Sequence, residues 1–142
     1  MKIVEIYQYS EKIHEALNSL LPQLSSSAAL LSETYIIKII RSDSSHLLMA
    51  EENGQFIGSL TLVTFYTPTG IRAWIEDVVV DKEARCKGVG RLLSEYAVSL
   101  ARKLGARTVD LTSSPSRKAA NILYKKAGFS IRDTNVYRYD FS

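Results

Sequence analysis

Residues 75–91 constrain this chain more than any other stretch. A β-branched run, Ile75 with Val78, Val79 and Val80, breaks into a charged turn that carries Arg85, Lys87, Gly88 and Gly90. The turn opens directly into Leu92-Leu93 and a long amphipathic stretch. A strand, a short glycine-bearing turn and a helix point unpaired backbone N–H groups and a helix dipole at one spot, which suits a phosphate or pyrophosphate. Glycines let the backbone approach such an anion where a Cβ would obstruct it. The same turn also serves as a plain strand–helix connection in many proteins. Its glycine spacing matches neither the dinucleotide fingerprint nor the P-loop.

The remaining chain reads as one mixed α/β domain over residues 1–142, with an open mixed sheet flanked by helices and no internal repeat. Ile3–Tyr7 alternates weakly as a first strand. Ser10 can cap a helix to about Leu21, with Ile13, Ala16, Leu17 and Leu20 on one face. Pro22 is expected to begin a polar loop, and Ser32 with Glu33 begins a second helix to about Arg41. Asn53-Gly54 between two apolar runs is a hairpin signal. Strands are expected over 46–52, 55–67 and 71–80, a helix from Gly88 to Leu104, and a strand over 108–112. A helix from Pro115 to Ala127 and a final strand pair within 129–141 complete the reading.

The 85–91 turn resembles the acetyl-CoA pyrophosphate loop of the GNAT superfamily of N-acetyltransferases. Three further segments are similar to that superfamily: Val78-Val79-Val80-Asp81, which resembles the end of its fourth strand; Leu123-Tyr124-Lys125-Lys126-Ala127-Gly128-Phe129; and the hairpin Leu48–Gly58. The resemblance implies a GNAT-like fold and acetyl-CoA as the acetyl donor. It implies that Arg85, Cys86, Lys87, Gly88, Val89, Gly90 and Arg91 cradle the pyrophosphate, with Val78, Val79 and Val80 offering main-chain groups to the pantetheine. Two positions depart from the superfamily pattern. Cys86 stands where glycine is frequent, and Arg117 stands where many relatives carry asparagine, so Arg117 is read as reaching a coenzyme phosphate or as part of a solvated helix start. Cys86, beside Arg85 and Lys87, is either an oxidisable thiol of lowered pKa or an inert one.

Moving an acetyl group from a thioester to an amine needs a neutral amine, a stabilised oxyanion and a protonated leaving thiolate. Direct transfer needs no metal. Glu76 is the candidate general base: a carboxylate in a hydrophobic run beside the indole of Trp74. Simple alternation puts Trp74, Glu76, Val78 and Val80 on one face. The Ile-Glu-Asp pattern at 75–77 is similar to that of glucosamine-6-phosphate N-acetyltransferases. The alternatives are a solvent-facing acid at this position and a water relay as the base. Tyr124 is the candidate general acid, because a phenol and a thiol differ by only about 1.5 pKa units; the alternative is a core aromatic. His14 and His46 take no role.

Charge is unevenly spread. Residues 1–80 carry 5 Lys/Arg against 9 Asp/Glu, and residues 81–126 carry 11 against 4. The basic half surrounds the proposed anion site, and no nucleic-acid motif accompanies it. The acidic half favours a cationic acceptor such as an aminoglycoside, polyamine or peptide amine. No apolar run reaches the roughly 18 residues of a membrane span. One cysteine excludes an internal disulfide and fits a cytoplasmic protein. The expected activity is acetyl transfer to a primary amine of a small molecule. A protein lysine or N-terminal amine, and a non-catalytic acyl-CoA sensor, are the alternatives. Val136-Tyr137-Arg138-Tyr139 is read as an exposed edge strand that would allow a homodimer.

Overall fold

The computed structural model describes all residues, Met1–Ser142. Five strands form one sheet in the order β1 (Lys2–Glu5), β2 (Ser45–Glu52), β3 (Gln55–Thr67), β4 (Gly70–Val80) and β5 (Thr108–Asp110). The first four pair antiparallel, and β5 lies parallel to β4. Helices α1 (Glu11–Leu24) and α2 (Glu33–Arg41) precede β2. A short 3₁₀ turn (Lys82–Ala84) and α3 (Val89–Lys103) connect β4 to β5, and α4 (Lys118–Lys126) follows.

Two cores sandwich the sheet. On one face Val89, Leu93, Ala97 and Ala101, spaced every fourth residue along α3, pack against Leu48, Ala50, Leu60, Leu62, Ala73 and Ile75. The alanines let the helix lie close to the strands, and Gly58 of β3 is a point of tight approach. On the other face Ile13, Leu17 and Leu20 of α1 and Ile36 of α2 cover Leu47, Met49 and Val79. Strand β2 is therefore buried on both faces, which accounts for its unbroken Leu47-Leu48-Met49-Ala50 run. Burying a side chain such as Leu93 contributes roughly 1.5–3 kcal/mol each.

Local chemistry sets the element ends. Ser10 and Ser32 cap α1 and α2 by accepting from the N–H groups of Ile13 and Tyr35 at 3.2 and 3.1 Å. Asn53 (φ 52°) and Gly54 (φ 76°) turn the β2–β3 hairpin as their sequence implied.

Three expectations give way. Helix α1 runs through Pro22 to Leu24, because a proline this near a helix end forfeits one hydrogen bond while Leu24 still packs on the second core. Helix α4 starts at Lys118 rather than Pro115, after a turn in which Arg117 N–H donates to the Ser114 carbonyl. No strand pair forms within 129–141. Ile131, Val136, Tyr137, Tyr139 and Phe141 are all exposed there, and the edge strand on which a homodimer was to form is absent.

Candidate active site

A bulge in β4 builds the site. Thr61 pairs with Glu76 and Ser59 with Val79, so one extra residue sits on β4 opposite Leu60. The bulge centres on Asp77, whose φ of 52° is left-handed, a conformation that aspartate tolerates better than most residues. The insertion reverses the alternation. Ala73 and Ile75 face α3 before it, and Val78 and Val80 face α3 after it, whereas Val79 packs under α1 and α2. Glu76 therefore shares a face with Trp74 and Val79, not with Val78 and Val80.

Beyond the bulge the sheet opens. Strand β5 pairs with β4 only at Arg72–Trp74, so the β4 edge from Ile75 to Val80 has no strand beside it on that side. The resulting cleft, about 220 Å³, is lined by Leu24 and Ser25 from the end of α1, Glu76 to Val78 from β4, and Leu111, Thr112, Arg117 and Tyr124.

The loop at the start of α3 is rich in unpaired donors. None of the seven backbone N–H groups from Arg85 to Arg91 donates to a protein acceptor; the first bonded amide of α3 is Leu92, to the Gly88 carbonyl at 3.0 Å. Gly88 holds the N-cap position at φ 82° and offers no side chain to occupy those donors. Cys86 is exposed and also left-handed, at φ 66°. Arg85, Lys87 and Arg91 are exposed around the loop, with the Arg85 Nε donating to the Val80 carbonyl at 3.5 Å and Arg91 Nε donating to Glu95 at 2.6 Å. Val89 and Gly90 are buried beneath it. Concentrated donors at a helix N-terminus form an anion site.

Tyr124 stands at the cleft wall. It is buried, its ring meets Phe129 edge-on at 5.9 Å, and its hydroxyl makes no hydrogen bond within the protein. Burial pushes its pKa above the usual phenol value, and the nearby Arg117 guanidinium pulls part of the way back. Glu76 is exposed rather than enclosed, and the Trp74 indole N–H donates to its carboxylate at 2.7 Å. Arg117 lines the cleft close to Tyr124.

The α1 end is tied down on both sides. Gln23 accepts from the Lys82 N–H at 2.8 Å, linking α1 to the loop that leads to the anion site. Asn18 Oδ1 accepts from the Leu31 N–H at 2.8 Å, and His14 Nε2–H donates to the Leu31 carbonyl at 2.8 Å. His14 Nδ1 then accepts from the Tyr9 hydroxyl at 2.6 Å, so this histidine is a structural clasp. His46 pairs with Glu5 at 3.0 Å, away from the cleft.

Comparison with known proteins decides the family, since the sequence profile of the acetyltransferase (GNAT) family matches residues 10–129. The chain belongs to the GNAT family. Two relatives from Bacillus subtilis (strain 168) are the uncharacterised N-acetyltransferases YhdJ and YhfO. YhdJ is 35% identical over 106 residues, 70% of this chain and 73% of its own. YhfO is 33% identical over 110 residues, 76% and 73% respectively. Among solved structures, an aminoglycoside acetyltransferase from an uncultured soil metagenomic sample, in complex with trehalose, superposes with a TM-score of 0.87 at 16% identity, covering 99% of this chain and 95% of its own. Glucosamine-6-phosphate N-acetyltransferase from Arabidopsis thaliana gives 0.82 at 22% identity, with both chains fully covered. This GNAT protein is accordingly an acetyltransferase, of a family that binds acetyl-CoA and an acceptor. None of its helices is long and apolar enough to cross a membrane.

Of the residues read from the sequence, the GNAT fold brings Glu76, Val78, Arg117 and Tyr124 into one cleft and gathers Arg85–Arg91 at the start of α3, where Gly90 lies against Val80 at the end of β4 and Leu123 of α4. Val79 is turned into the core instead. Leu24 and Ser25 come from the stretch after Pro22, and Leu111 and Thr112 from the end of the 108–112 stretch; their types mark no chemistry singly, and the fold carries them to the opening.

Proposed function

We propose that this enzyme moves the acetyl group of acetyl-CoA directly onto a primary amine of a small molecule, within one domain spanning residues 1–142. The observation that carries the reading is the run of seven unpaired N–H groups leading into an open β4 edge, with a buried tyrosine beside it whose hydroxyl is free of partners in the protein. A pyrophosphate accepts from the Arg85–Arg91 amides. An amide-bearing arm accepts from and donates to the free β4 edge along Val78, Val79 and Val80, with Arg117 near enough to offer a further cation. Acetyl-CoA supplies the activated acyl group.

The chain's own groups handle the protons. Glu76 takes a proton from the incoming ammonium, and the indole of Trp74 fixes which way its carboxylate points. The nitrogen–carbon bond forms and the carbon–sulfur bond breaks; the second proton of the nitrogen passes to solvent, and the sulfur leaves as a thiolate to which Tyr124 O–H donates a hydrogen bond. Since burial makes Tyr124 a weaker acid than a free phenol, it acts chiefly as a hydrogen-bond donor to the sulfur and remains protonated through neutral pH. Holding the reactants side by side supplies roughly 7–11 kcal/mol in well-oriented systems.

The test is thiol release from acetyl-CoA with a panel of amines, alongside calorimetry of coenzyme binding. Turnover with one amine class supports the reading. Binding without turnover on any small amine shifts it to a protein amine or a sensor, and absence of binding refutes it.

A further inference from the structure

Resting on the acetyl-transfer reading, we infer that the acceptor carries an anionic group besides its amine, held in a second cleft on the outer side of β5. This cleft, about 840 Å³, lies between β5, the ends of α3 and α4, and the segment after Gly128. It meets the β4–β5 cleft at Leu111, Thr112 and Tyr124, which line both. A molecule seated in it therefore reaches the point where the acyl group is to be handed over.

Its electrostatics run opposite to those of the N-terminal half of the chain. Arg102, Arg107, Lys125 and Arg132 line it against one carboxylate, Asp110. None of the four belongs to an ion pair, since the ion pairs of the molecule join other residues. Arg102 and Lys125 sit in the last turns of α3 and α4, where a cation also complements the helix dipole. Arg107 has no such role. Its NH1 donates to the Thr69 carbonyl at 2.8 Å, and its stem lies over Gly70, where a Cβ would come within 2.6 Å of Arg107 Cδ. The turn thus makes room for this side chain and aims it, leaving further guanidinium donors free. Ser113, in the same lining, has a buried Oγ with no partner, a polar group that a ligand would satisfy.

Like charges gathered in a concave surface repel one another and attract an anion. The shared ligand chemistry is an oxyanion, phosphate or carboxylate, on a body bearing the reactive amine. Trp74 and Asn121 in the lining supply a flat apolar wall and an amide for that body.

The test has two arms. First, inorganic phosphate and acetate are titrated separately into protein saturated with coenzyme A, which occupies the Arg85–Arg91 loop, while backbone amide resonances are followed by NMR. Shifts are expected at residues 107, 113, 125 and 132, and Arg107→Gln, whose side chain is exposed, is expected to weaken binding by about tenfold or more. Absence of shifts there overturns the inference, and so does equal binding by the variant. Second, a hexosamine, its phosphate and the matching uronate are compared as acceptors. Phosphate and uronate arms distinguish the two anion sources, and kcat/KM at least about tenfold above the neutral amine is expected for one of them. A preference for the neutral amine overturns the inference while leaving acetyl transfer standing. Failure to bind coenzyme A at all removes the acetyl-transfer reading, yet the titration, then run on the free protein, still decides the anion site.

Discussion

Replacing Gly58 with alanine tests how strictly the sheet positions the anion-binding loop. A Cβ at this β3 residue would lie 3.0 Å from Val89 Cγ1, 3.2 Å from Leu93 Cδ1 and 3.2 Å from the Val79 carbonyl oxygen. Leu93 can turn aside, but Val89 is β-branched and the carbonyl belongs to β4, so the first turn of α3 has to retreat by a few tenths of an ångström. Overpacking of this kind costs about 1–3 kcal/mol. The lost freedom of glycine in the unfolded chain returns roughly 0.4–1 kcal/mol. The net is a destabilisation of about 0.5–2 kcal/mol, or a melting temperature lower by roughly 2–8 °C. Because Val89 follows Gly88 directly, the retreat also displaces the unpaired amides. The KM for acetyl-CoA is expected to rise about three- to tenfold with a smaller change in kcat. Thermal melts and steady-state kinetics read both effects, and Val89→Ala in the Gly58→Ala background is expected to recover most of each. Unchanged stability and KM in Gly58→Ala, or no recovery in the double variant, would refute the reasoning.

Further substitutions probe the chemistry. Glu76→Gln is expected to lower kcat by about 10²–10⁴-fold while calorimetry shows nearly unchanged acetyl-CoA affinity; equal turnover moves the base to water. Tyr124→Phe is expected to lower kcat by about ten- to a hundredfold. Burial raises the Tyr124 pKa, so its proton is held to higher pH, and the wild-type alkaline limb that this group governs falls above the range of a free phenol. A tyrosine-dependent limb near neutrality in the pH–rate profile would contradict that assignment. Cys86→Gly relieves a left-handed side-chain-bearing residue at φ 66° and is expected to stabilise by up to about 1 kcal/mol in chemical denaturation. Loss of stability would show that the exposed thiol makes compensating contacts.

What the sequence disclosed was local. The strand–turn–helix at 75–91, the Asn53-Gly54 hairpin and the α1 and α3 faces depend on neighbours within one element, and propensity and periodicity report such neighbours well. The bulge at Asp77 was invisible because an inserted residue shows only against its partner strand, and the placing of Glu76 beside Val78 failed with it. Pro22 misled because the burial of Leu24, a tertiary effect, outweighs one missing hydrogen bond. The cations of the outer cleft come from two stretches of chain, 102–107 and 125–132, and only the fold shows that they line one surface.

Only three residue pairs join β5 to the rest of the sheet. Along the sheet the molecule is a ribbon torn partway across, with β5 joined by a short seam at Arg72–Trp74 and the α4 side otherwise held by the packing of Leu111, Leu123 and Phe129. Anything that lies along the free β4 edge and reaches the amides beneath it acts as a suture. Its grip should therefore be felt across the tear as well as at the loop, so that the ligand-free enzyme is the one that proteases open first, from the β5 side.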